Sequence, residues 1–508
     1  MQPSKNKIVV NSELSSLINK LKKINKKIVH CHGTFDLIHA GHIKYLQKSK
    51  TFGDILIVSV TANKFVNKGP ERPVFDEDIR LENLAALSCV DYVCINNALS
   101  AEKIIRIIKP DFYVKGSDYQ NESDDITGNI KKEKKAVISC GGKIVFTNEI
   151  TFSSSKLLNN HFDIYSKETK DFLKNFSTKY ELNQLIDQIN SLNDLKVLVI
   201  GDAILDEYHY VKPLGLTGKG NILAAQYSSQ EIFAGGSIAV ANHISSFVNK
   251  VTLVTGLGDK NNKESFIRKS LKKNVEAKFF YFKDSQTLTK RRFVDNDLNK
   301  FFEIYLFCEK PTLGVDYKKL IKYLNKLSNF DVVIVADYGN GFIDKNLKDT
   351  ICKKSNFLAV NTQLNSANKG FNVITQYNRA NFISLNEPEL RIAKNNRSED
   401  IKKLMSDISN NLNSQFISTT MGTNGVLMLN NRKNYYSHVP ALSSRVIDRV
   451  GAGDAYLSLA SIALAGGLEF DIANFFGSVA AAMDVQIVCN RESIHKINLI
   501  KYITSILK

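Results

Sequence analysis

One stretch near the start of the chain constrains its fold more than any other. A run that begins with the apolar, β-branched residues Ile28 and Val29 leads into Gly33, and a helical pattern begins near His42. The order strand, glycine turn, helix is the first half of a βαβ unit. Because the N-terminus of a helix presents free N–H groups and the positive end of its dipole, phosphates bind readily at such a turn. The stretch therefore predicts a parallel α/β sheet with an anion site beside Gly33.

The segments that follow keep alternating between strand and helix patterns. Strands are predicted at 54–60, 92–95, 112–115 and 143–146, and helices at 78–87, 101–108 and 131–140. This alternation indicates βαβ units in a doubly wound sheet. Ligands of such sheets bind at the carboxyl ends of the strands, which is where the 33–42 turn and the 115–119 segment fall.

Two histidines, His39 and His42, flank the predicted start of the helix. Nucleotidyl transfer needs positioning and charge neutralisation rather than a protein nucleophile. Imidazole N–H groups beside an α-phosphate would stabilise the negative charge that develops during attack. The same spacing also suits a helix cap followed by a surface residue, so the pair alone leaves both interpretations open.

Length and composition limit the class of protein. A chain of 508 residues is too long for one ordinary core and indicates two or three domains. With 43% hydrophobic and 23% charged residues, it has the composition of a globular protein. The net charge of +17 comes from lysines spread over the whole length without interleaved aromatic residues, which argues against nucleic-acid binding. A positive field suits anionic phosphate substrates instead.

Cysteine usage and the lack of targeting segments predict a cytoplasmic protein. The seven cysteines are scattered and form no CxxC pair, a pattern typical of free thiols in a reducing compartment. The first 25 residues are polar and lysine-rich, and no apolar stretch is long enough to cross a membrane. We therefore expect no membrane partner.

The chain is predicted to contain two domains with a helical connector between them. The expected domains span 1–160 and 194–508, and the glycine-free connector spans 161–193. A new apolar strand at 196–200 opens the second domain, which is within the size range that α/β folds reach.

The most informative motif of the second domain is Gly451-Ala452-Gly453-Asp454. Two glycines around a small residue let backbone N–H groups turn inward as an anion-binding nest at the start of a helix. A carboxylate placed there can take a proton from a substrate hydroxyl while the nest holds the phosphate that leaves ATP. The same four residues also fit an ordinary glycine turn, so the motif by itself does not decide between the two.

The segment 33–46 resembles the signature of the HxGH nucleotidyltransferases of the cytidylyltransferase-like group. Segments at 68–73, 90–93, 114–119 and 152–158 fit the same family in the same order. The resemblance implies a Rossmann-like domain that transfers a nucleotidyl group from ATP or CTP to a sugar 1-phosphate and releases pyrophosphate, with His39 and His42 stabilising the transition state. It also implies nucleotide and phosphate contacts from Thr34, Phe35, Lys68, Arg72, Lys115, Ser153, Ser154 and Ser155.

The second domain resembles the PfkB, or ribokinase-like, carbohydrate kinases through Gly235-Gly236, the pair Asn386 and Glu389, and the closing GAGD motif. Its opening segment is most similar to the kinase half of the bifunctional heptose-phosphate kinase/nucleotidyltransferase family. The resemblance implies an ATP- and Mg²⁺-dependent sugar kinase that uses Asp454 as its base and can form a homodimer. The other implied roles are Gly451, Ala452 and Gly453 as an anion hole, Gly422 and Gly425 near ATP, Asn386 and Glu389 on magnesium through water, and Asp202, Asp206, Gly235, Gly236, Lys290 and Arg292 at the sugar.

Three places depart from the pattern expected of the heptose kinases. Ala239 stands where an asparagine is expected, 361–363 where an Asp-Pro-Lys type of segment is expected, and Arg449-Val450 where small or hydroxylated residues are expected. The order of the two domains is also reversed. A changed sugar pocket would account for the three departures, and so would loss of kinase activity.

The sequence therefore predicts a bifunctional enzyme of nucleotide-sugar formation. One domain would phosphorylate a heptose-like sugar or sugar phosphate, and the other would join a sugar 1-phosphate to a nucleotide. The alternative is an active nucleotidyltransferase whose PfkB-like domain only binds sugar or regulates. A non-catalytic basic scaffold is a third reading, and the presence of His39, His42 and Asp454 argues against it.

Overall fold

The computed structural model describes residues 5–66, 72–116, 129–147, 165–309, 311–443 and 445–507. The chain divides into two compact units, Met1–Ser166 with Ile500–Lys508, and Lys167–Leu499. Each unit is built on a sheet whose strands alternate with helices, which confirms the predicted α/β class. Among the helices of the described ranges, none combines the length and the apolar character needed to cross a membrane.

The described part of the first unit contains five parallel strands in the order β3-β2-β1-β4-β5. The chain reverses its direction of travel across the sheet between β3 and β4, so β1 and β4 lie side by side at the switch point. Ligands of doubly wound sheets bind at this place. The strands are β1 (Ile28–Gly33), β2 (Ile55–Thr61), β3 (Tyr92–Asn96), β4 (Phe112–Gly116) and β5 (Lys143–Thr147). The helices are Asn11–Lys23, Ala40–Lys50, Glu77–Ala85, Glu102–Ile108 and Asn129–Ser139.

Apolar side chains cover both faces of this first sheet. Ile28 joins a buried cluster that includes Leu14 of the first helix. Its neighbour Val29 belongs to a second cluster on the other face, together with Leu46 and Leu81. Because successive strand residues point to opposite faces, a sheet covered on both sides needs the continuous apolar runs seen in the sequence.

The second unit has a long sheet whose central strands are parallel. Strands β8, β6, β12, β13, β14 and β15 pair in parallel, and β16 and β17 extend this edge in antiparallel fashion. The strands are β6 (Lys196–Leu216), β7 (Leu223–Gly236), β8 (Lys250–Lys260), β9 (Val275–Gln286), β10 (Thr289–Val294), β11 (Lys300–Leu306), β12 (Val332–Asp337), β13 (Phe357–Thr362), β14 (Phe382–Asn386), β15 (Phe416–Thr420), β16 (Val426–Asn430) and β17 (Tyr435–Val439).

Strand β6 is much longer than the sequence pattern predicts. Its first part, where a strand at 196–200 was expected, pairs with β8 and β12. It then continues through Gly201 to Leu216 and pairs with β7 and β10 in a smaller sheet that β11 completes. A Cβ atom at Gly201 would lie 2.1 Å from the carbonyl oxygen of Ala336, so only glycine allows the neighbouring strand to pass here.

The predicted connector contains two helices, Lys167–Lys179 and Leu182–Ser191, which belong to the second compact unit. The ring of Phe176 stacks on Phe475 with their centroids 4.1 Å apart. Burial of this apolar face explains why the segment is helical and ordered although its exposed face is polar. The other helices of the unit are Ser237–Ser245, Glu264–Ser270, Val315–Leu324, Lys345–Lys354, Glu387–Ala393, Ile401–Asn411, Ala452–Ala465 and Phe470–Asp484, and a last helix of the chain spans Lys496–Ile506.

Candidate active sites

The first candidate site is the turn between β1 and the Ala40–Lys50 helix. His39 is the N-cap residue of that helix, and its Nδ1 accepts a hydrogen bond from the backbone N–H of His42 at 3.4 Å. The two imidazole rings stack with centroids 3.8 Å apart, and Phe35 packs edge-on against His42. The predicted histidine pair therefore lies together at the N-terminus of a helix, at the carboxyl end of β1.

The hydrogen bond at His39 also defines its protonation. Because Nδ1 accepts a hydrogen, the neutral ring carries its own hydrogen on Nε2. Burial lowers the pKa of His39 below its ordinary value, so the neutral donor form prevails at pH 7. The ring can therefore donate to a phosphate oxygen without first gaining a proton.

A fully buried arginine, Arg80, holds the loops around this turn. Its guanidinium donates to the carbonyl oxygens of Thr34 at 2.7 Å, Thr61 at 2.9 Å and Phe75 at 2.9 Å. It also donates to the side-chain oxygen of Asn63 at 2.6 Å. A single cation thus fixes Thr34, one of the predicted nucleotide contacts, relative to the end of β2.

The predicted phosphate-binding cations of this unit are paired with carboxylates. Arg72 Nη1 lies 3.6 Å from Asp36 Oδ2, with each side chain only 3% exposed. Lys115 Nζ lies 3.1 Å from Glu133 Oε2. Both carboxylates hold the cations beside the sheet, so phosphate contact by either cation stays a prediction. Outside the described residues lie Lys68, Ser153, Ser154 and Ser155.

The second candidate site is a cavity of about 740 Å³ in the second unit. It opens beyond the carboxyl ends of β12, β13, β14 and β15, which is the usual ligand position in parallel sheets. The predicted site residues that line it are Asp206, Gly236, Lys290, Arg292, Asn386, Glu389, Gly422, Gly425, Gly451, Ala452, Gly453 and Asp454. The structure thus brings residues from the whole length of this unit together at one edge of its sheet.

Asp454 lies in the first turn of the Ala452–Ala465 helix and is half-buried. Tyr338 Oη donates to Asp454 Oδ1 at 2.5 Å. Burial raises the pKa of Asp454 to about 7, and the negative charge of Asp206 adds to this effect, whereas the hydrogen bond from Tyr338 and the charge of Lys290 oppose it. A carboxylate with this pKa is well matched to act as a general base near neutral pH.

Gly451 turns the chain into the helix that carries Asp454. Its φ of 108° is in the region that favours glycine. A Cβ atom there would also lie 2.6 Å from Asp484 Oδ2, so no other residue fits without movement. The preceding loop is held by Asp448, which accepts hydrogen bonds from Tyr208 Oη at 2.6 Å and from the N–H of Cys489 at 3.2 Å.

The opposite wall of the cavity carries the predicted sugar-binding charges. Asp206 of β6 pairs in register with Lys290 of β10, so the two side chains sit on neighbouring strands. Arg292 Nη1 donates to Asp206 Oδ1 at 2.5 Å. A Cβ atom at Gly235 would lie 2.2 Å from Asp206 Oδ2. Gly235 therefore leaves room for the Asp206 carboxylate rather than lining the cavity itself.

Asp202 is predicted to hold the sugar, yet it does not line the cavity. Its buried carboxylate accepts hydrogen bonds from the backbone N–H groups of Tyr338, Asn340 and Phe342 at 2.9, 3.4 and 3.3 Å. Burial, together with the nearby charge of Asp337, raises the pKa of Asp202 to about 7, although the three backbone hydrogen bonds lower it. The observed contacts make Asp202 a support for the turn that presents Tyr338.

The predicted magnesium pair forms a capping box at the Glu387–Ala393 helix. Asn386 Oδ1 accepts from the N–H of Glu389, and Glu389 Oε2 accepts from the N–H of Asn386, both at 2.8 Å. Glu389 Oε1 also accepts from the N–H of Leu364 at 3.2 Å. Among the described residues, no three His, Cys, Asp or Glu side chains cluster closely enough to hold a metal ion by themselves. The pair suits a hydrated ion, because each carboxylate oxygen keeps lone pairs for a water molecule.

Sequence reasoning assigned no role to several residues that line this cavity. Tyr338 comes directly after strand β12, and this position at a strand end is the signal that could have indicated it. Gln363 follows β13 in the same way. Asn490 comes from a turn far along the chain, and no local pattern indicates it.

Comparisons with known proteins agree with both units. Residues 30–160 match the family model described as cytidylyltransferase-like. The bifunctional protein HldE of Geobacter metallireducens is 39% identical over 152 residues, which cover 30% of this chain and 29% of that protein. HldE of Helicobacter pylori strain J99 is 40% identical over 126 residues, covering 24% and 27%. This chain thus spans less than a third of the length of these relatives, and the match lies in its N-terminal region.

The second unit matches a family model that covers more than half of the chain. Phosphofructokinase-2 from Escherichia coli superposes with a TM-score of 0.49 and 14% identity, over 61% of this chain and all of that structure. The model of the pfkB family of carbohydrate kinases matches residues 194–495, which include the whole cavity. The chain therefore belongs to the pfkB family of carbohydrate kinases and carries a cytidylyltransferase-like domain ahead of the kinase fold.

Proposed function

We propose that the protein is a bifunctional enzyme of nucleotide-sugar formation. Its second unit phosphorylates a heptose-like sugar or sugar phosphate with ATP. Its first unit transfers a nucleotidyl group from ATP or CTP to a sugar 1-phosphate and releases pyrophosphate. The observation that carries this proposal is the position of Asp454 at a helix N-terminus inside a cavity lined by charged side chains, among them Asp206 and Lys290.

In the kinase reaction, Asp454 accepts the proton of a sugar hydroxyl as that oxygen attacks the γ-phosphorus. The bond between this phosphorus and the β,γ-bridging oxygen breaks, and ADP leaves with the electron pair. The N–H groups of 451–453 and the helix N-terminus stabilise the charge on the transferring group. Tyr338 holds the Asp454 carboxylate in one orientation through its 2.5 Å hydrogen bond.

Magnesium belongs to this proposal as well. When bound, the ion supplies charge neutralisation to the phosphates of ATP. Asn386 and Glu389 would hold it through water, because their oxygens accept backbone hydrogen bonds and each oxygen keeps a further lone pair for a water molecule.

In the nucleotidyl transfer, an oxygen of the sugar 1-phosphate attacks the α-phosphorus, and pyrophosphate leaves. His39 and His42 donate hydrogen bonds to the oxygens that gain charge. The neutral state of His39 supports this role, because its Nε2 hydrogen is already in place. Arg80 keeps the Thr34 backbone fixed beside them.

We also propose that the protein works in the cytoplasm on small molecules and binds neither nucleic acid nor membrane. A homodimer is part of the same proposal. Its support is the apolar tip of the β6–β7 hairpin, where the exposed fractions of Leu216 and Ile222 are both 68%. Sedimentation of the purified protein at several concentrations tests the dimer.

Two product assays on one preparation test the catalytic proposal. Pyrophosphate release is measured with ATP, CTP, GTP and UTP against a panel of sugar 1-phosphates that includes heptose 1-phosphates. ADP formation is measured with the corresponding free sugars and sugar phosphates. We expect one pair of substrates for each assay, with His42→Ala removing only pyrophosphate release. Pyrophosphate release without ADP formation from any sugar would contradict the kinase proposal and favour a binding or regulatory second unit.

A further inference from the structure

An arginine that the proposed mechanism does not use lies in the wall of the kinase cavity. Arg449 lines the cavity next to the GAGD turn and is exposed to it. Within the described part of the chain, its guanidinium makes no hydrogen bond or ion pair. We propose that Arg449 binds the terminal phosphates of the nucleotide in this cavity. This inference rests on the proposed kinase function.

The distribution of charge over the cavity wall supports this role. The described lining residues include three cations, Lys290, Arg292 and Arg449. Arg292 donates to Asp206 and Glu303, and Lys290 Nζ lies over the rings of Tyr305 and Tyr338. Both cations extend from β10, which pairs with β6 in this wall of the cavity.

The rest of the cavity wall has a different balance. Away from β6 and β10, its described lining carries the acids Glu387, Glu389 and Asp454, and Arg449 is the one cation. A triphosphate that enters this side brings several negative charges close to these carboxylates. Because like charges repel strongly where water is scarce, a cation at this position lowers the free energy of the bound nucleotide.

The loop that presents Arg449 is rigid. Asp448, its neighbour, is buried and accepts hydrogen bonds from Tyr208 Oη, the N–H of Cys489 and the N–H of Val450. On the other side of Arg449, the turn at Gly451 begins the helix whose N-terminus is the proposed anion hole. The side chain is thus attached to backbone that is fixed on both sides, two residues before the phosphate site.

Arginine suits this position chemically. Its planar guanidinium offers five N–H donors in a fixed fork that matches phosphate oxygens, and it stays protonated at every working pH. Charge-assisted bonds from such a fork would strengthen as negative charge spreads over the transferring phosphate. The expected contribution is therefore specific to the β- and γ-phosphates and absent for AMP.

Photolabelling of the full chain tests the proposal at this cavity alone. Peptides from 384–454 are quantified by mass spectrometry after labelling with 8-azido-ATP or 8-azido-AMP, so that binding at the first unit does not contribute. For Arg449→Ala, we expect the half-saturating concentration to rise about tenfold for 8-azido-ATP and less than twofold for 8-azido-AMP. Arg449→Gln should behave in the same way and serves if the alanine variant fails to fold. Arg449→Lys should recover part of the loss.

Arg445→Ala is the matched control. Arg445 is exposed in the same loop but does not line the cavity, so its removal changes the net charge equally and should leave both half-saturating concentrations unchanged. In Arg449→Ala and Arg449→Gln, the half-saturating concentrations of the two labels could instead change equally or not at all. Either result would overturn the role of Arg449, while saturable labelling of the unaltered protein would still support the kinase proposal. Absence of saturable 8-azido-ATP labelling of the cavity in the unaltered protein would overturn both proposals.

Discussion

Each unit holds a loop of its candidate active site with one buried charge, and the two charges have opposite signs. In the first unit, the Arg80 guanidinium donates to three backbone carbonyl oxygens around the turn between β1 and the Ala40–Lys50 helix. In the second unit, the Asp202 carboxylate accepts from three backbone N–H groups around the turn that presents Tyr338. Both solutions satisfy backbone groups that would otherwise be buried without partners.

The sign of the charge determines how each site responds to pH. Burial lowers the pKa of Arg80, but a guanidinium still remains protonated throughout the physiological range. Burial raises the pKa of Asp202 to about 7, and that of Asp454 in the same unit to about 7. Asp202 and the proposed base Asp454 therefore titrate near neutrality, whereas Arg80 in the first unit does not.

The strongest expected effect separates the two chemistries. Asp454→Asn removes the base, so ADP formation should fall by roughly 10³–10⁴-fold, while pyrophosphate release should stay within twofold of the unaltered protein. Parallel assays of both products on one preparation check this. An equal loss of both activities would show that the units do not work independently.

Asp454→Asn should also change the stability of the second unit, and this change shows whether the loss of ADP formation is due to misfolding. Because the pKa of Asp454 is raised in the folded protein to about 7, the fold loses stability as the pH rises from the ordinary pKa of an aspartate to that value, and the full loss persists at higher pH. Asp454→Asn should therefore raise the melting temperature of the second unit by a few degrees at pH 8 and leave it unchanged at pH 4. Calorimetry at both pH values makes the comparison.

A smaller loss is expected at the first site. His42→Ala removes one donor to the transition state, so pyrophosphate release should fall about 10²–10³-fold with ADP formation unchanged. Lys48→Ala, an exposed residue of the same helix, is the control and should retain both activities. A loss below threefold in His42→Ala would exclude the histidine from the reaction.

The supporting cation can be tested through stability. Arg80→Met leaves several carbonyl oxygens without a donor, and we expect the free energy of opening of β1 amides, measured by hydrogen exchange, to fall by roughly 3 kcal/mol. Arg106→Met is the control, since its pair with Glu102 is largely exposed, and should change that value by less than about 0.5 kcal/mol. Equal changes in the two variants would contradict the structural role of Arg80.

Tyr338→Phe should produce the smallest change. The tyrosine hydrogen bond lowers the pKa of Asp454, as does the charge of Lys290, and the charge of Asp206 raises it. Loss of the hydrogen bond should move the acid limb of ADP formation to higher pH by about one unit, with nearly normal rates at pH 9. Tyr435→Phe, at a hydroxyl bound to Asp471 away from the cavity, should leave the profile in place. An unshifted profile in Tyr338→Phe would remove the tyrosine from the mechanism.

The fold could be predicted from the sequence wherever a local pattern of residues determines the secondary structure. Continuous apolar runs predicted the parallel strands, because a sheet covered on both faces needs them. The extension of β6 beyond Gly201 was not predicted, because a strand that crosses from one sheet into another has no periodicity of its own. The α/β class and the order of the two folds followed from the sequence all the same.

The site could be predicted only where glycine turns mark it. The GAGD motif and the His39 turn contain such glycines, and the structure places both at helix N-termini. Arg80 occurs in a charged helical segment whose pattern predicts exposure to solvent. The arginine is nevertheless buried, because loops from other parts of the first unit fold over it. Asp202 is predicted to hold the sugar, yet its carboxylate accepts hydrogen bonds from the backbone of the turn that follows β12. Such contacts arise from the tertiary fold and leave no local signature.

The most direct test of the account is the pH dependence of both reactions in one protein preparation. Between pH 6.5 and 8.5, a base with a pKa of about 7 should make ADP formation rise about fourfold or more. The lowered pKa of His39 should keep pyrophosphate release within about twofold over the same range. Superimposable profiles for the two products, or a level profile for ADP formation, would contradict the proposed difference between the two sites.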